Sequence, residues 1–220
     1  MSVALVVGGS SGIGAACAAE LAASGCAVVA TGRRFAEALR PPHAGEVGFV
    51  HLEPTDEAAV RALVGALPAL EVVVYAAGQG VFAPIASADA ADLRAMLDVH
   101  VVGFQHVAKA ALARMTGGHI FAIGSHVAHR AFPTCGAYTA AKSAQLGLAR
   151  VLAEEARPLG IRVTSLLCGA TDTSIWDDRP DFDRTKMLKP ADIARFLVGL
   201  LAQPALSVTE VTVMPPAGAL

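Results

Sequence analysis

The chain has 220 residues, enough for one domain of ordinary size with a substantial core. Hydrophobic residues make up 54% and charged residues 16%, a balance that argues against disorder and for near-continuous apolar strands buried under helices. A net charge of −2 and a pI near 6.4 give no electrostatic case for a nucleic-acid partner or an anionic membrane surface.

Val3 to Val7 is a short apolar run that reads as a buried strand, and its position at the start leaves no room for a signal peptide. No apolar run reaches the length of a membrane span. The four cysteines (Cys17, Cys26, Cys135, Cys168) lack metal-like spacing, so reduced thiols, no metal site and a cytoplasmic location are expected. The first strand breaks at Gly8-Gly9-Ser10-Ser11-Gly12-Ile13-Gly14, and Ala15 to Ala23 has helical composition. Taken alone, the glycines are a plain strand-to-helix turn. Strand before and helix after are the context in which such a turn holds a pyrophosphate, through close backbone approach and the unpaired amides of the helix start.

Ala27 to Thr31 is a second strand, ending Thr31-Gly32-Arg33-Arg34. Dinucleotide folds that prefer NAD place a carboxylate there for the adenosine ribose. Two guanidinium groups suit a 2′-phosphate instead, so NADP(H) is expected over NAD(H); the competing reading is two solvated arginines. Pro41 to Gly45 reads as a turn and Val47 to His51 as a third strand. Thr55-Asp56-Glu57 caps a helix to Leu67. Glu71 to Tyr75 is a fourth strand, followed by Ala76-Ala77-Gly78-Gln79-Gly80, small enough for a cofactor to lie against. Asp89 starts one long helical stretch to Met115, closed by Gly117-Gly118. His119 to Ile123, Arg162 to Leu167 and Val208 to Met214 complete seven strands, with helices over Tyr138 to Arg157 and Pro190 to Ala202. The alternation predicts an α/β fold: a doubly wound, Rossmann-type parallel sheet in a single domain spanning residues 1–220, without repeat or linker.

The chemistry concentrates around Gly136-Ala137-Tyr138-Thr139-Ala140-Ala141-Lys142-Ser143, with Ser125 thirteen residues before the tyrosine. Four residues climb about 6 Å along a helix and return to nearly the same face, so Tyr138 and Lys142 lie side by side. A free phenol, with a pKa of about 10, is a poor proton-transfer group near neutrality. A neighbouring ammonium is expected to favour phenolate; poising the group near pH 7 takes roughly 3 units, about 4 kcal/mol. Ser125, at a strand's carboxyl end, is placed to hydrogen-bond a reacting oxygen. A lone Tyr-x-x-x-Lys is common by chance, and only the glycine motif beside it lifts the reading.

Together these residues resemble the short-chain dehydrogenase/reductase family over essentially the whole chain. The resemblance implies a cofactor cradle at Gly8, Ser10, Ser11, Gly12, Ile13 and Gly14 and a catalytic set of Ser125, Tyr138 and Lys142, the last two also contacting cofactor. Cys168-Gly169-Ala170-Thr171-Asp172-Thr173 is similar to the family's Pro-Gly-x-x-x-Thr segment, which implies nicotinamide and pyrophosphate contacts at Gly169, Thr171 and Thr173. Thr31-Gly32-Arg33-Arg34 resembles NADP-preferring members, including bacterial reductases acting on 3-hydroxy acids. Four places depart from the pattern, one of them Cys168 in place of the proline. Tyr75-Ala76-Ala77-Gly78 stands for Asn-Asn-Ala-Gly, with Ala77 and Gly78 implied beside the cofactor. Glu53, before Pro54, stands for an aspartate near adenine. His100 stands for the helix asparagine of a water relay to the lysine, where an imidazole either shuttles protons (reference pKa about 6.5) or merely packs.

The activity implied is interconversion of a ketone or aldehyde and its alcohol with NADP(H), a small-molecule substrate and a homodimer or homotetramer. A non-catalytic NADP(H)-binding sensor, or an isomerase or dehydratase on the same fold, stays open at this point. Residues 170–189 read as a short substrate lid. Trp176 and Phe132 read as pocket or core, and Phe82 as core. Arg130, Arg179 or Arg184 is available to clamp a substrate carboxylate, and His126 and His129 follow Ser125 closely. Cys135 reads as an inert buried thiol. The small and apolar faces at Ala108, Ala110, Ala111, Ala141, Ala144 and Leu148 are expected to pair subunits.

Overall fold

In a computed structural model, residues 2–35 and 42–218 are described; of the predicted turn at Pro41–Gly45, Pro41 lies outside them. Seven strands form one sheet: β1 (Val3–Val7), β2 (Ala27–Thr31), β3 (Val47–Val50), β4 (Leu70–Tyr75), β5 (Gly118–Ser125), β6 (Ile161–Cys168) and β7 (Glu210–Val213). All six pairings are parallel, in the order β3-β2-β1-β4-β5-β6-β7. The helices are α1 (Gly12–Ala23), α2 (Glu57–Ala66), α3 (Ala90–Leu97), α4 (Gly103–Leu112), α5 (Gly136–Ala156) and α6 (Pro190–Leu201).

Strand residues feed both faces alternately, because successive side chains point to opposite sides of a sheet. Leu5, Val7, Val29 and Val73 join Phe104, Ala111 and Leu152 in one core, on the side of α2, α4 and α5. Ala4, Val6, Val28 and Val74 join Leu21, Ile193 and Leu197 in the other, under α1 and α6. Every residue of β1 and β2 is buried, which is why both read as unbroken apolar runs. The expected cap of α2 is present, the Asp56 carboxylate accepting from the Ala59 amide at 3.0 Å, and Asp89 caps α3 in the same way, accepting from the Ala91 amide at 2.8 Å.

The predicted Asp89–Met115 helix is instead two helices joined by a π-turn at Asp98–Val102. The widened turn has a cause in side chains that come from elsewhere. Tyr75, fully buried, donates its hydroxyl to the Val99 carbonyl. Gly103 makes room for it, since a Cβ there would lie 2.5 Å from the Tyr75 hydroxyl. Within the same turn, His100 reaches Gln79 O from Nε2 at 2.8 Å. Three of the six residues expected on a pairing face, Ala108, Ala111 and Ala141, are buried within the chain itself. They pack its own core; Leu93, Val102 and Val151 are the large exposed apolar residues on α3, the π-turn and α5, where Ala144 is exposed as well.

Candidate active site

The strand order reverses between β1 and β4, and the crevice outside the carboxyl ends of a sheet opens at such a switch. A cleft of about 990 Å³ lies there. Its nucleotide half is built by backbone. Gly8 adopts φ +87°, and a Cβ on it would stand 2.5 Å from the Ala77 amide. Gly14 lies under the cleft floor, where a Cβ would meet Gly8 O at 2.1 Å, so α1 starts hard against the end of β1. The Ser11 side chain makes no cap hydrogen bond, and α1 carries no acidic residue in its first turn. The amides of that turn therefore face the cleft without an intrahelical partner.

Gly8, Ser10, Ser11, Gly12 and Ile13 line this half. Arg33 and Arg34 stand past the end of β2, exposed at the cleft edge, with Arg34 Nη2 donating to Ser10 O at 3.4 Å. Glu53 also lines the cleft, but its carboxylate turns back onto Thr55, accepting from the amide at 3.3 Å and the hydroxyl at 3.0 Å. Ala77 and Gly78 line the wall, and Gly169, Thr171 and Thr173 come down from β6 opposite. The Thr173 methyl lies against Gly12, and the Thr171 hydroxyl donates to Gly169 O at 3.0 Å.

At the centre, Ser125 ends β5, Tyr138 lies in the first turn of α5, and Lys142 follows one turn on. The Ser125 hydroxyl lies against the phenol, where its hydrogen bond favours phenolate. The chain's own groups do not produce the expected acid shift of Tyr138. Burial outweighs the serine and pushes the phenol up to about 12. Burial also brings Lys142 down to about 8. The correction has a geometric cause: the ammonium donates to Ile123 O at 2.9 Å and Gln145 Oε1 at 3.0 Å, and stands 5.9 Å from the Tyr138 ring centre. Its charge is aimed below the phenol. Gln145, buried three residues after Lys142, was missed in the sequence; the i, i+3 spacing on one helix face was the available signal.

His100 lines the cleft, yet burial, reinforced by the Lys142 charge, holds its imidazole down at about 3. It is neutral at physiological pH. With Nε2–H given to Gln79 O, its buried Nδ1 has no partner among the described residues. Its ring meets Tyr138 edge-on at 5.7 Å and is admitted by Gly78, where a Cβ would lie 2.4 Å from Cε1.

The substrate half is built from side chains. Phe82 is no core residue: half-buried, it lines the cleft and meets the Tyr138 ring edge-on at 5.6 Å. Its loop is tied to the start of α5 by the Ala83 amide donating to Thr134 O at 2.9 Å, with Thr134 at φ 66°. That left-handed backbone is unusual for a β-branched residue and stores strain beside the site. Trp176, Phe132, His126 and Arg179 also line the cleft, whereas His129, Arg130 and Arg184 do not. His129 is paired with Glu210 at 2.5 Å. Cys135 lines the wall, and burial pushes its thiol up. Among the described residues no group of His, Cys, Asp and Glu is arranged to hold a metal, and no helix is long and apolar enough to cross a membrane.

The comparisons agree with this geometry. The family model described as short chain dehydrogenase matches residues 2–183. An uncharacterized oxidoreductase of Staphylococcus saprophyticus is 34% identical over 227 residues, covering 97% of each chain. Another, of Staphylococcus epidermidis, is 30% identical over 223 residues, covering 97% of this chain and 96% of its own. An alcohol dehydrogenase from the archaeon Thermococcus sibiricus, complexed with 5-hydroxy-NADP, superposes with TM-score 0.87 at 26% identity, covering 100% of this chain and 99% of its own. A short chain dehydrogenase from Burkholderia cenocepacia in complex with NADP gives TM-score 0.84 at 27% identity, covering 97% and 96%.

Proposed function

We propose, from the premise that this chain belongs to the short-chain dehydrogenase family and is an oxidoreductase, that it interconverts a ketone or aldehyde and the corresponding alcohol with NADP(H). The observation that carries this reading is the convergence of Ser125, Tyr138 and Lys142 on the glycine-built cleft.

The cleft fits a dinucleotide by its construction. Gly8 and Gly12 let a pyrophosphate approach the backbone, and the open amides of α1 supply donors for it. Arg33 and Arg34 would hold a 2′-phosphate, with no carboxylate at Thr31-Gly32-Arg33-Arg34 to repel it. The two similar structures that carry NADP or its 5-hydroxy form support this preference. When bound, NADPH supplies hydride to the carbonyl carbon, and NADP+ accepts it in reverse.

The chain's own groups do the rest. The Ser125 and Tyr138 hydroxyls hold the carbonyl oxygen. A phenol at about 12 keeps its proton at neutral pH, which is the form that reduction needs, and Tyr138 gives it up as the oxygen gains charge. Lys142, at about 8, stays cationic near pH 7 and stands 5.9 Å from the Tyr138 ring centre, its ammonium held by Ile123 O and Gln145. For alcohol oxidation the phenol must lose its proton first, which burial of Tyr138 opposes. Residues 170–189, carrying Ile175 and Trp176 over the cleft, act as the lid that excludes water. We extend the proposal to a homodimer or homotetramer that covers Leu93, Val102 and Val151.

Tyr138→Phe tests the reading. We expect NADPH affinity to persist in a fluorescence titration while kcat/KM falls by about 10²–10⁴. A retained rate would remove the tyrosine from the mechanism.

A further inference from the structure

Three arginines in or near the substrate half were candidates for an anion clamp, and the structure separates them. Arg184 is spent: its Nε meets Asp172 at 2.6 Å and its Nη1 meets Asp177 at 2.8 Å. Arg130 lies off the cleft, over the Phe132 ring at 5.3 Å. Arg179 differs from both. It lines the cleft, half-buried, with no carboxylate among the described residues within ion-pair distance. The neighbouring cations Arg184, Lys186 and Lys189 are all paired, although Asp177, Asp178 and Asp181 surround Arg179 in sequence. Exposed Asp178 sits at the same rim without closing on it.

The guanidinium is held by rings, 4.3 Å from Phe82, 4.9 Å from Phe182 and 5.7 Å from Trp176, and by a hydrogen bond with the neutral Cys135 thiol, which leaves its charge without a counterion among the described residues. Aromatic contact restrains a guanidinium's position while leaving its N–H edge open to a forked acceptor. Phe82 also meets the Tyr138 ring at 5.6 Å, so one aromatic ring separates the guanidinium from the proton donor. Lys142, the other cation facing this part of the cleft, is committed to Ile123 O and Gln145.

We propose that Arg179 is the substrate-carboxylate subsite, so that the physiological substrate is an oxo acid whose carbonyl lies a short acyl or aryl spacer from its carboxylate. This rests on the carbonyl-reductase reading above. A single cation with no carboxylate partner among the described residues suits a monoanion; a phosphate dianion would call for more positive charge.

The test has two arms. In the first, NADPH-dependent turnover is measured on para-formylbenzoate against its methyl ester, and on levulinate against methyl levulinate. The wild type is expected to favour at least one acid over its ester by about 10–100-fold in kcat/KM. Arg179→Met should collapse that acid-to-ester ratio toward unity, and Arg179→Lys should restore part of it. In the second arm, calorimetry compares para-toluate with para-toluamide binding to the NADP+ complex, which needs no turnover. Acid-selective binding lost in Arg179→Met supports the subsite even where no aldehyde or ketone is reduced, and in that case the reductase reading fails alone. Equal binding of acid and amide, or a ratio untouched by Arg179→Met, overturns the subsite and leaves Arg179 as a latch for the lid.

Discussion

The nucleotide half of the cleft is built from backbone and the substrate half from side chains. At Gly8 and Gly14 the atoms a Cβ would strike are main-chain atoms, at 2.5 and 2.1 Å, so nothing there can give way. Across the cleft, Phe82, Trp176, Phe182 and Arg179 meet one another through ring and guanidinium contacts, and the segment behind them is held by surface ion pairs of Asp172 with Arg184 and Lys189. Exposed pairs of this kind are each worth about 0–1 kcal/mol. One half is therefore rigid and intolerant, suited to a ligand common to many enzymes. The other is soft and easily rewritten, suited to the part of the reaction that distinguishes one enzyme from the next.

The largest expected effect breaks the rigid half. Gly14→Ala places a methyl group 2.1 Å from Gly8 O, and the turn must open. We expect loss of NADPH binding and at least about 3 kcal/mol of destabilisation in urea unfolding. Gly199→Ala, which meets nothing within 4 Å, should cost neither and serves as the control. An intermediate effect is expected where the rigid half does use side chains. Replacing both Arg33 and Arg34 by serine should reduce the NADPH-over-NADH preference by roughly 10–100-fold with little change in kcat; an unchanged ratio would mean that both are merely solvated.

The smallest effect sharpens the boundary between the halves. Gln145→Leu removes one of the two acceptors of the Lys142 ammonium. The charged form loses support, so the lysine should titrate below its present value of about 8. A group that acts while protonated is active below its pKa and lost as pH rises through it. The alkaline limb of kcat/KM should therefore move to lower pH, by about 1 unit. Gln145→Glu should move it the other way, and an unmoved limb in both variants would exclude Gln145 from control of the lysine. The same depressed value carries a stability signature. Folded Lys142 titrates near 8 and the unfolded side chain near 10.5. The cost of its buried charge is thus fully present below pH 8 and relieved as pH rises toward 10.5.

The parts of the site that could be read from the chain are local ones. The glycines between an apolar run and a helix, and the spacing of Ser125, Tyr138 and Lys142, depend on residues close together in sequence and on the periods of strand and helix. The parts that could not be read join distant segments. The π-turn at Asp98–Val102 answers to Tyr75, whose hydroxyl reaches the Val99 carbonyl from the end of β4, and to Gly103, which admits it. Phe82 looked like core because its hydrophobicity says nothing of direction; the Ala83–Thr134 bond turns its loop toward the tyrosine.

The sequence by itself determined the parallel α/β order, the glycine cradle and the catalytic spacing, because each follows from short-range periodicity and the missing side chain of glycine. Tertiary structure decided the charge states: a phenol driven up to about 12, a lysine brought down to about 8 and a histidine held neutral. A titrating group answers to the solvent it loses and to the charges around it, and those are set by packing between segments far apart in the chain.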